Sequence, residues 1–134
     1  MKKKYKNKGY FISFEGGEGT GKSTQAKILY DYLITKNIEA ILTREPGGTK
    51  GAEVIRDVIL KDYFYKGFND KFDKYTDTLL YMAARNEHIQ KKIKPAIARR
   101  KIVICDRFID STTAYQVYGK GVSLSLVNEI HKHI

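Results

Sequence analysis

The chain has 134 residues, 42% of them hydrophobic and 30% charged, with a formal net charge of +10. That length fits one domain and that apolar share is enough for a real core, which excludes a disordered protein. No apolar stretch nears the ~20 residues of a membrane span, and the single cysteine, Cys105, excludes an internal disulfide and fits a reducing cytoplasm.

Five lysines, Lys2, Lys3, Lys4, Lys6 and Lys8, form a lysine-rich tail over residues 1–8 and account for half of the charge excess. They lead into only five strand-like residues, too few for a signal peptide. The other lysines are scattered, with no aromatic-interleaved basic patch. The charge therefore points away from nucleic acid and toward polyanionic nucleotides. His88, His131 and His133 lack metal-ligand spacing with cysteine or carboxylates, so no zinc site is implied.

Tyr10-Phe11-Ile12-Ser13-Phe14 is a short apolar run suited to a buried strand. Gly16-Gly17-Glu18-Gly19-Thr20-Gly21-Lys22-Ser23 follows and fits G-x-x-x-x-G-K-[ST], the phosphate-cradling loop of nucleotide-processing enzymes. Residues 24–33 then have helical spacing. Strand, glycine loop and helix in that order are the context the motif needs. The glycines let backbone N–H groups turn inward, Lys22 adds a mobile positive charge, and the helix dipole favours an anion at its start. The Ser23 hydroxyl is placed to ligate Mg²⁺.

Asn37 marks a turn, and residues 39–43 read as a second strand ending in the loop Arg44-Glu45-Pro46-Gly47-Gly48-Thr49. Residues 52–60 read as a short helix, 61–74 as a loop, and 75–93 as a long helix ended near Pro95, with 96–99 adding one turn. Residues 101–105 give a third strand, which delivers Asp106-Arg107-Phe108 to the carboxyl edge where open α/β sheets place ligands. The alternation implies a parallel, right-handed α/β sheet covered on both faces, with three strands present. Residues 123–134 have helical spacing in Leu126, Val127, Ile130 and Ile134 with no stop signal. The chain therefore reads as a single domain, incomplete at its C-terminus and cut inside a helix.

Arg44 and Arg107 end two strands on the ligand edge, where planar guanidinium forks suit an acceptor phosphate; structural ion pairs with Glu45 and Asp106 are the alternative. Tyr81 and Arg85 stand four apart on one helix face, so a ring can stack on a base while a guanidinium bonds its edge; an aromatic at that spacing also suits a core. Glu18, beside the phosphates, makes better sense with a ligand hydroxyl as partner. Asp106 reads as an outer-sphere acid for Mg²⁺ or an acceptor-side acid. Arg56 reads as a further contact to the acceptor phosphate or as a surface residue.

With the phosphate loop, four stretches resemble thymidylate kinase of the bacterial type: residues 14–24, Thr43-Arg44-Glu45-Pro46-Gly47-Gly48-Thr49, Leu79-Leu80-Tyr81-Met82-Ala83-Ala84-Arg85, and residues 106–116 beginning Asp106-Arg107-Phe108. The resemblance runs from about Tyr10 to Ile134. It implies a P-loop kinase fold that transfers the γ-phosphoryl of ATP, with Mg²⁺, to dTMP in dTTP synthesis, as a cytoplasmic homodimer when complete. It assigns ATP to Gly16, Gly17, Glu18, Gly19, Thr20, Gly21, Lys22, Ser23 and Thr24, with Ser23 on the metal. It assigns dTMP to Glu18, Arg44, Pro46, Arg56, Tyr81, Arg85, Arg107, Thr112, Tyr115 and Gln116. Lys22, Arg44, Asp106 and Arg107 take the catalytic roles. Within that set Arg44 and Arg107 hold the acceptor phosphate, Tyr81 and Arg85 hold thymine, Thr112 and Gln116 reach the pyrimidine edge, Tyr115 crowds the sugar against a 2′-hydroxyl, and Glu18 meets the 3′-hydroxyl.

Two departures qualify the match. Phenylalanine normally stacks where Tyr81 stands. Gly19 stands where some members carry a basic residue, which implies that the catalytic arginine comes from a later lid segment that this chain lacks. The rival readings are another P-loop nucleotide kinase and a non-catalytic nucleotide-binding piece; a GTPase is excluded by the missing N-K-x-D.

Overall fold

The computed structural model describes residues 8–62 and 71–134. Three strands, β1 (Tyr10–Phe14), β2 (Ala40–Arg44) and β3 (Ile102–Asp106), form a parallel sheet in the order β1-β3-β2. In register, Phe14 and Arg44 both lie opposite Asp106, so the three strands end level at one edge. Among the described residues six α-helices accompany them: α1 (Lys22–Thr35), α2 (Lys50–Asp62), α3 (Lys74–His88), α4 (Lys94–Ala98), α5 (Ile109–Thr112) and α6 (Leu124–His131).

Side chains alternate across a strand, and β3 shows what that does to the core. Ile104 packs on one face with Ala26 and Leu33 of α1, whereas Val103 packs on the other with Ile93 and Ala96. Both residues are fully buried, as expected of the central strand of a parallel sheet with helices on both faces. β1 pairs with β3 alone among the described residues. A third apolar cluster, Met82, Val122 and Val127, ties α6 to α3.

The first strand matches the sequence expectation, and the others lie within a residue of it. Pro95 does not end the long helix. A π-helical turn, Ile89–Ile93, follows α3, and α4 starts at Lys94, so Pro95 occupies a first-turn position where its missing N–H leaves no hydrogen bond unmade. α2 extends to Asp62, and Asp73 caps α3 by accepting from the Tyr75 N–H at 2.8 Å. The loop expected over 61–74 therefore has helix at its start, while residues 63–70 and most of the lysine tail lie outside the described residues. α5 and a π-helical segment, Thr113–Tyr118, occupy a stretch for which no element is expected from sequence. α6 begins at a Ser123 cap and ends at His131, with Lys132 and His133 donating back into its last turn, so the helix does not run on to Ile134.

Candidate active site

The phosphate loop leaves β1 at its carboxyl end and enters α1. Gly21, at φ 84°, takes the left-handed turn that starts α1, and its neighbour Thr20 closes the loop by donating to the Gly17 carbonyl at 2.9 Å. No side chain caps α1, so its first N–H groups are available to an anion. Lys22 folds back over the loop, with Nζ 3.4 Å from the Gly17 carbonyl.

Asp106, the last residue of β3, accepts a hydrogen bond from the Ser23 hydroxyl through Oδ2, while its Oδ1 is buried without a hydrogen-bond partner among the described residues. A hydroxyl beside a carboxylate with an unsatisfied oxygen is a hard-oxygen donor pair that fits Mg²⁺. Arg107 follows in a left-handed conformation, φ 72°. Nη1 donates to the Gly16 carbonyl at 3.1 Å and Nη2 to Glu18 at 2.7 Å, while Cζ lies 5.3 Å from the Tyr115 ring centroid. Burial opposes the charge of this guanidinium, but Tyr115 and Glu18 more than offset it and raise its pKa.

A cavity of about 310 Å³ opens beside this loop. Glu18 and Arg107 line it together with Pro46 and Arg56 from the β2 side, Tyr81 and Arg85 from α3, and Thr112, Tyr115 and Gln116 from the chain after β3. Every residue assigned to the acceptor from sequence faces this space except Arg44. Thr112 and Gln116 are almost wholly buried, so their polar groups are positioned by packing before any ligand arrives. Arg56 donates to the Pro46 carbonyl at 2.8 Å and so braces the loop.

A family model described as thymidylate kinase matches residues 14–134. The chain belongs to the thymidylate kinase family. It is 47% identical over 126 residues to a thymidylate kinase of Caulobacter vibrioides, covering 94% of this chain and 58% of that protein. It is 50% identical over 127 residues to one of Clostridium novyi, covering 94% and 59%. A crystal structure of thymidylate kinase from Ehrlichia chaffeensis superposes with a TM-score of 0.84 at 43% identity, covering 95% of this chain and 68% of that one. The chain thus spans a little under three fifths of the length of these curated relatives and has their P-loop kinase fold.

In this family member, neither alternative ion pair is found. Arg44 meets Glu53 at 3.3 Å rather than Glu45, and Arg107 meets Glu18 rather than Asp106. Arg44 is more than half exposed and lines a separate hollow of about 410 Å³ with Ser23, Glu53, Lys92 and Asp106. Glu53 is held there by the Gly48 N–H at 2.8 Å, and that bond, with Arg44 nearby, keeps its carboxyl below the usual range.

Sequence reasoning missed the layer beneath the cavity. Glu45 is buried and receives Arg85 Nε at 2.6 Å and His88 Nδ1 at 3.0 Å. His88 is fully buried, and its Nε2 lies 2.7 Å from the Thr43 hydroxyl. Gly48, at φ 93°, sits against this pair so closely that a Cβ would come within 2.6 Å of both the imidazole and the hydroxyl. Glu15 accepts from the Phe108 N–H at 2.6 Å and the Ser111 hydroxyl at 2.5 Å, which fixes the turn carrying Arg107. The R-E-P-G-G-T motif contained Glu45, but nothing local showed that its partner stands forty residues away.

Proposed function

We propose that this chain carries the nucleotide sites of an enzyme that transfers the γ-phosphoryl of ATP to the 5′-phosphate of dTMP, giving dTDP and ADP for dTTP synthesis. The observation that supports it best is the position of Arg107, which bonds the phosphate loop at Gly16 while facing the cavity on which the acceptor residues converge. A phosphate between Arg107 and the loop is held next to the donor, and its repulsion with the incoming phosphoryl group is neutralised.

The remaining roles follow from the chemistry of each group. Lys22 and the first N–H groups of α1 hold the β- and γ-phosphates, with Gly16 to Thr24 wrapping the triphosphate. Ser23 Oγ and Asp106 would hold Mg²⁺, which supplies charge neutralisation on the β and γ oxygens. Tyr81 stacks on thymine, and Arg85, Thr112 and Gln116 bond its edge. Tyr115 stands on the sugar side and excludes a 2′-hydroxyl, while Glu18 is 90% exposed and exchanges Arg107 for the 3′-hydroxyl. Arg44, from the neighbouring hollow, acts on the transferring phosphate from the side of Ser23 and Asp106.

The reading includes a second copy as partner. Val54 and Val58 of α2, and Tyr75 and Leu79 of α3, form exposed apolar pairs one helical turn apart that association of two chains would cover. It also places the protein in the cytoplasm, where ATP is supplied and the buried free thiol of Cys105 stays reduced.

Titrating the chain with dTMP, AMP, CMP and thymidine, each with and without ATP·Mg²⁺, tests the assignment. dTMP should bind at least tenfold tighter than the other acceptors, from about one good polar contact or more. Equal affinity for AMP or CMP would instead indicate a broader P-loop nucleotide kinase. Sedimentation of the wild type against a Val58→Lys, Leu79→Lys double variant tests the dimer.

A further inference from the structure

An arginine has five N–H donors, and three of those on Arg85 have protein acceptors. Nε donates to Glu45, Nη2 to the Phe108 carbonyl at 2.9 Å, and Nη1 to His131 Nε2 at 2.8 Å. The first two acceptors belong to motifs that line the cavity. The third comes from α6, outside all of them. We propose that His131 is a positioning residue for Arg85: its unprotonated Nε2 fixes the guanidinium plane so that the two remaining N–H groups meet the pyrimidine edge, an inference that rests on the dTMP assignment.

Helix packing puts it there. Val127 of α6 packs in one cluster with Met82 of α3. One turn further along each helix stand His131 and Arg85, so the same apolar contact that docks α6 brings imidazole to guanidinium. A guanidinium only donates, so Nε2 must be the acceptor and the proton of a neutral ring must sit on Nδ1. Glu45 already balances the charge of Arg85. A neutral acceptor therefore adds direction without a second negative charge, which a carboxylate at this position would bring.

The contact also depends on pH. Burial lowers the pKa of His131 from its ordinary value of 6.5, and Arg85 lowers it further, against the opposing pull of Glu45. The other charged or titratable groups on the surrounding elements are Lys74, Tyr75, Asp77, Tyr81, Glu87 and His88 of α3, Asp110 of α5, Tyr115 and Tyr118 of the π-helical segment, Lys120 beyond it, Glu129 of α6, and Lys132 and His133 just after it. Lys120 pairs with Asp77, while Lys132 and His133 pair with Glu129. Protonation of His131 replaces an acceptor by a cation facing Arg85. The folded state thus favours the neutral ring: the stability this gives is complete above the ordinary value, declines as pH falls below it, and the bond itself is lost as pH falls through the lower folded value.

Calorimetric titration of the full chain with dTMP and with ATP, at pH 8 and pH 5.5, tests the proposal in wild type, His131→Ala, His131→Gln and Arg85→Ala. His131→Ala should weaken dTMP about tenfold at pH 8 and leave ATP unchanged, the size expected from one hydrogen bond to a charged group. His131→Gln supplies an amide oxygen and should recover most of that loss. A phosphate monoester titrates near pH 6 in every variant, so affinities are compared between variants at the same pH. The proposal is overturned if His131→Ala binds dTMP like wild type while Arg85→Ala does not, or if glutamine is no better than alanine. Undiminished dTMP binding by Arg85→Ala would overturn the dTMP assignment itself, whatever His131 does.

Discussion

Replacing Glu45 by alanine removes the acceptor beneath the cavity. Glu45 is 6% exposed, Arg85 3% and His88 not at all, and the carboxylate takes one hydrogen bond from each at 2.6 and 3.0 Å. Truncation leaves a buried guanidinium without a counter-charge and an imidazole N–H without an acceptor. Breaking a buried pair from one side costs about 3–5 kcal/mol. The orphaned imidazole adds to that, while water entering from the cavity that Glu45 lines offsets part of it, so about 3–5 kcal/mol is the net expectation. At roughly 3–5 °C per kcal/mol for a domain of this size, Tm should fall by about 10–20 °C. Thermal and urea unfolding of Glu45→Ala, Arg85→Ala and the double variant should show a coupling of about 2 kcal/mol, because alanine at 45 costs less once its charge partner is gone. A cycle additive to within about 0.5 kcal/mol would refute the claim that Glu45 and Arg85 act as one buried unit.

Three further outcomes are expected. Lys22→Ala should lower phosphoryl transfer by about 10² or more, because it removes a charge donor to the β and γ oxygens; unchanged turnover would remove the phosphate loop from the mechanism. Asp106→Asn should raise the Mg²⁺ concentration needed for half-maximal rate about tenfold or more, and an unshifted Mg²⁺ curve would reduce Asp106 to orienting Ser23. Tyr115→Ala should lower the ratio of kcat/KM for dTMP over its ribonucleotide counterpart, and a constant ratio would dissociate the ring from sugar selection.

What the sequence revealed here was local. The apolar run before the glycines, the loop itself and the helical spacing after it all lie within residues 10–35, where neighbours in sequence are neighbours in space. The three strands were visible for the same reason. The π-helical turn before Pro95 was not, since it depends on how the helix packs on the sheet rather than on composition. α5 and the π-helical segment after it were missed because Ile109 to Tyr118 mixes apolar, hydroxyl and amide side chains with no 3.6-residue period. Partner choice was the least legible. Glu45 with Arg85, Arg107 with Glu18 and Arg85 with His131 are separated by 40, 89 and 46 residues, and only the fold brings them together.

Several contacts between distant residues converge on one short stretch. Asp106 meets Ser23, Arg107 meets Gly16 and Glu18, and the Phe108 carbonyl meets Arg85 while its N–H is held by Glu15. Three consecutive residues at the end of the central strand therefore touch the proposed metal site, the phosphate loop and the arginine assigned to the base. β3 is covered on both faces and hydrogen-bonded on both edges, so this tripeptide leaves the most rigid strand of the sheet. A shift of the guanidinium at Arg85 is then felt at Phe108 and, one residue away, at Arg107, where misplacement by 1 Å is enough to cost about 10² in rate. On that argument Arg85 and His131 variants should lower kcat as well as dTMP affinity. A pure KM effect would show that the base side and the phosphate side are held independently, with Phe108 serving only as a wall of the cavity.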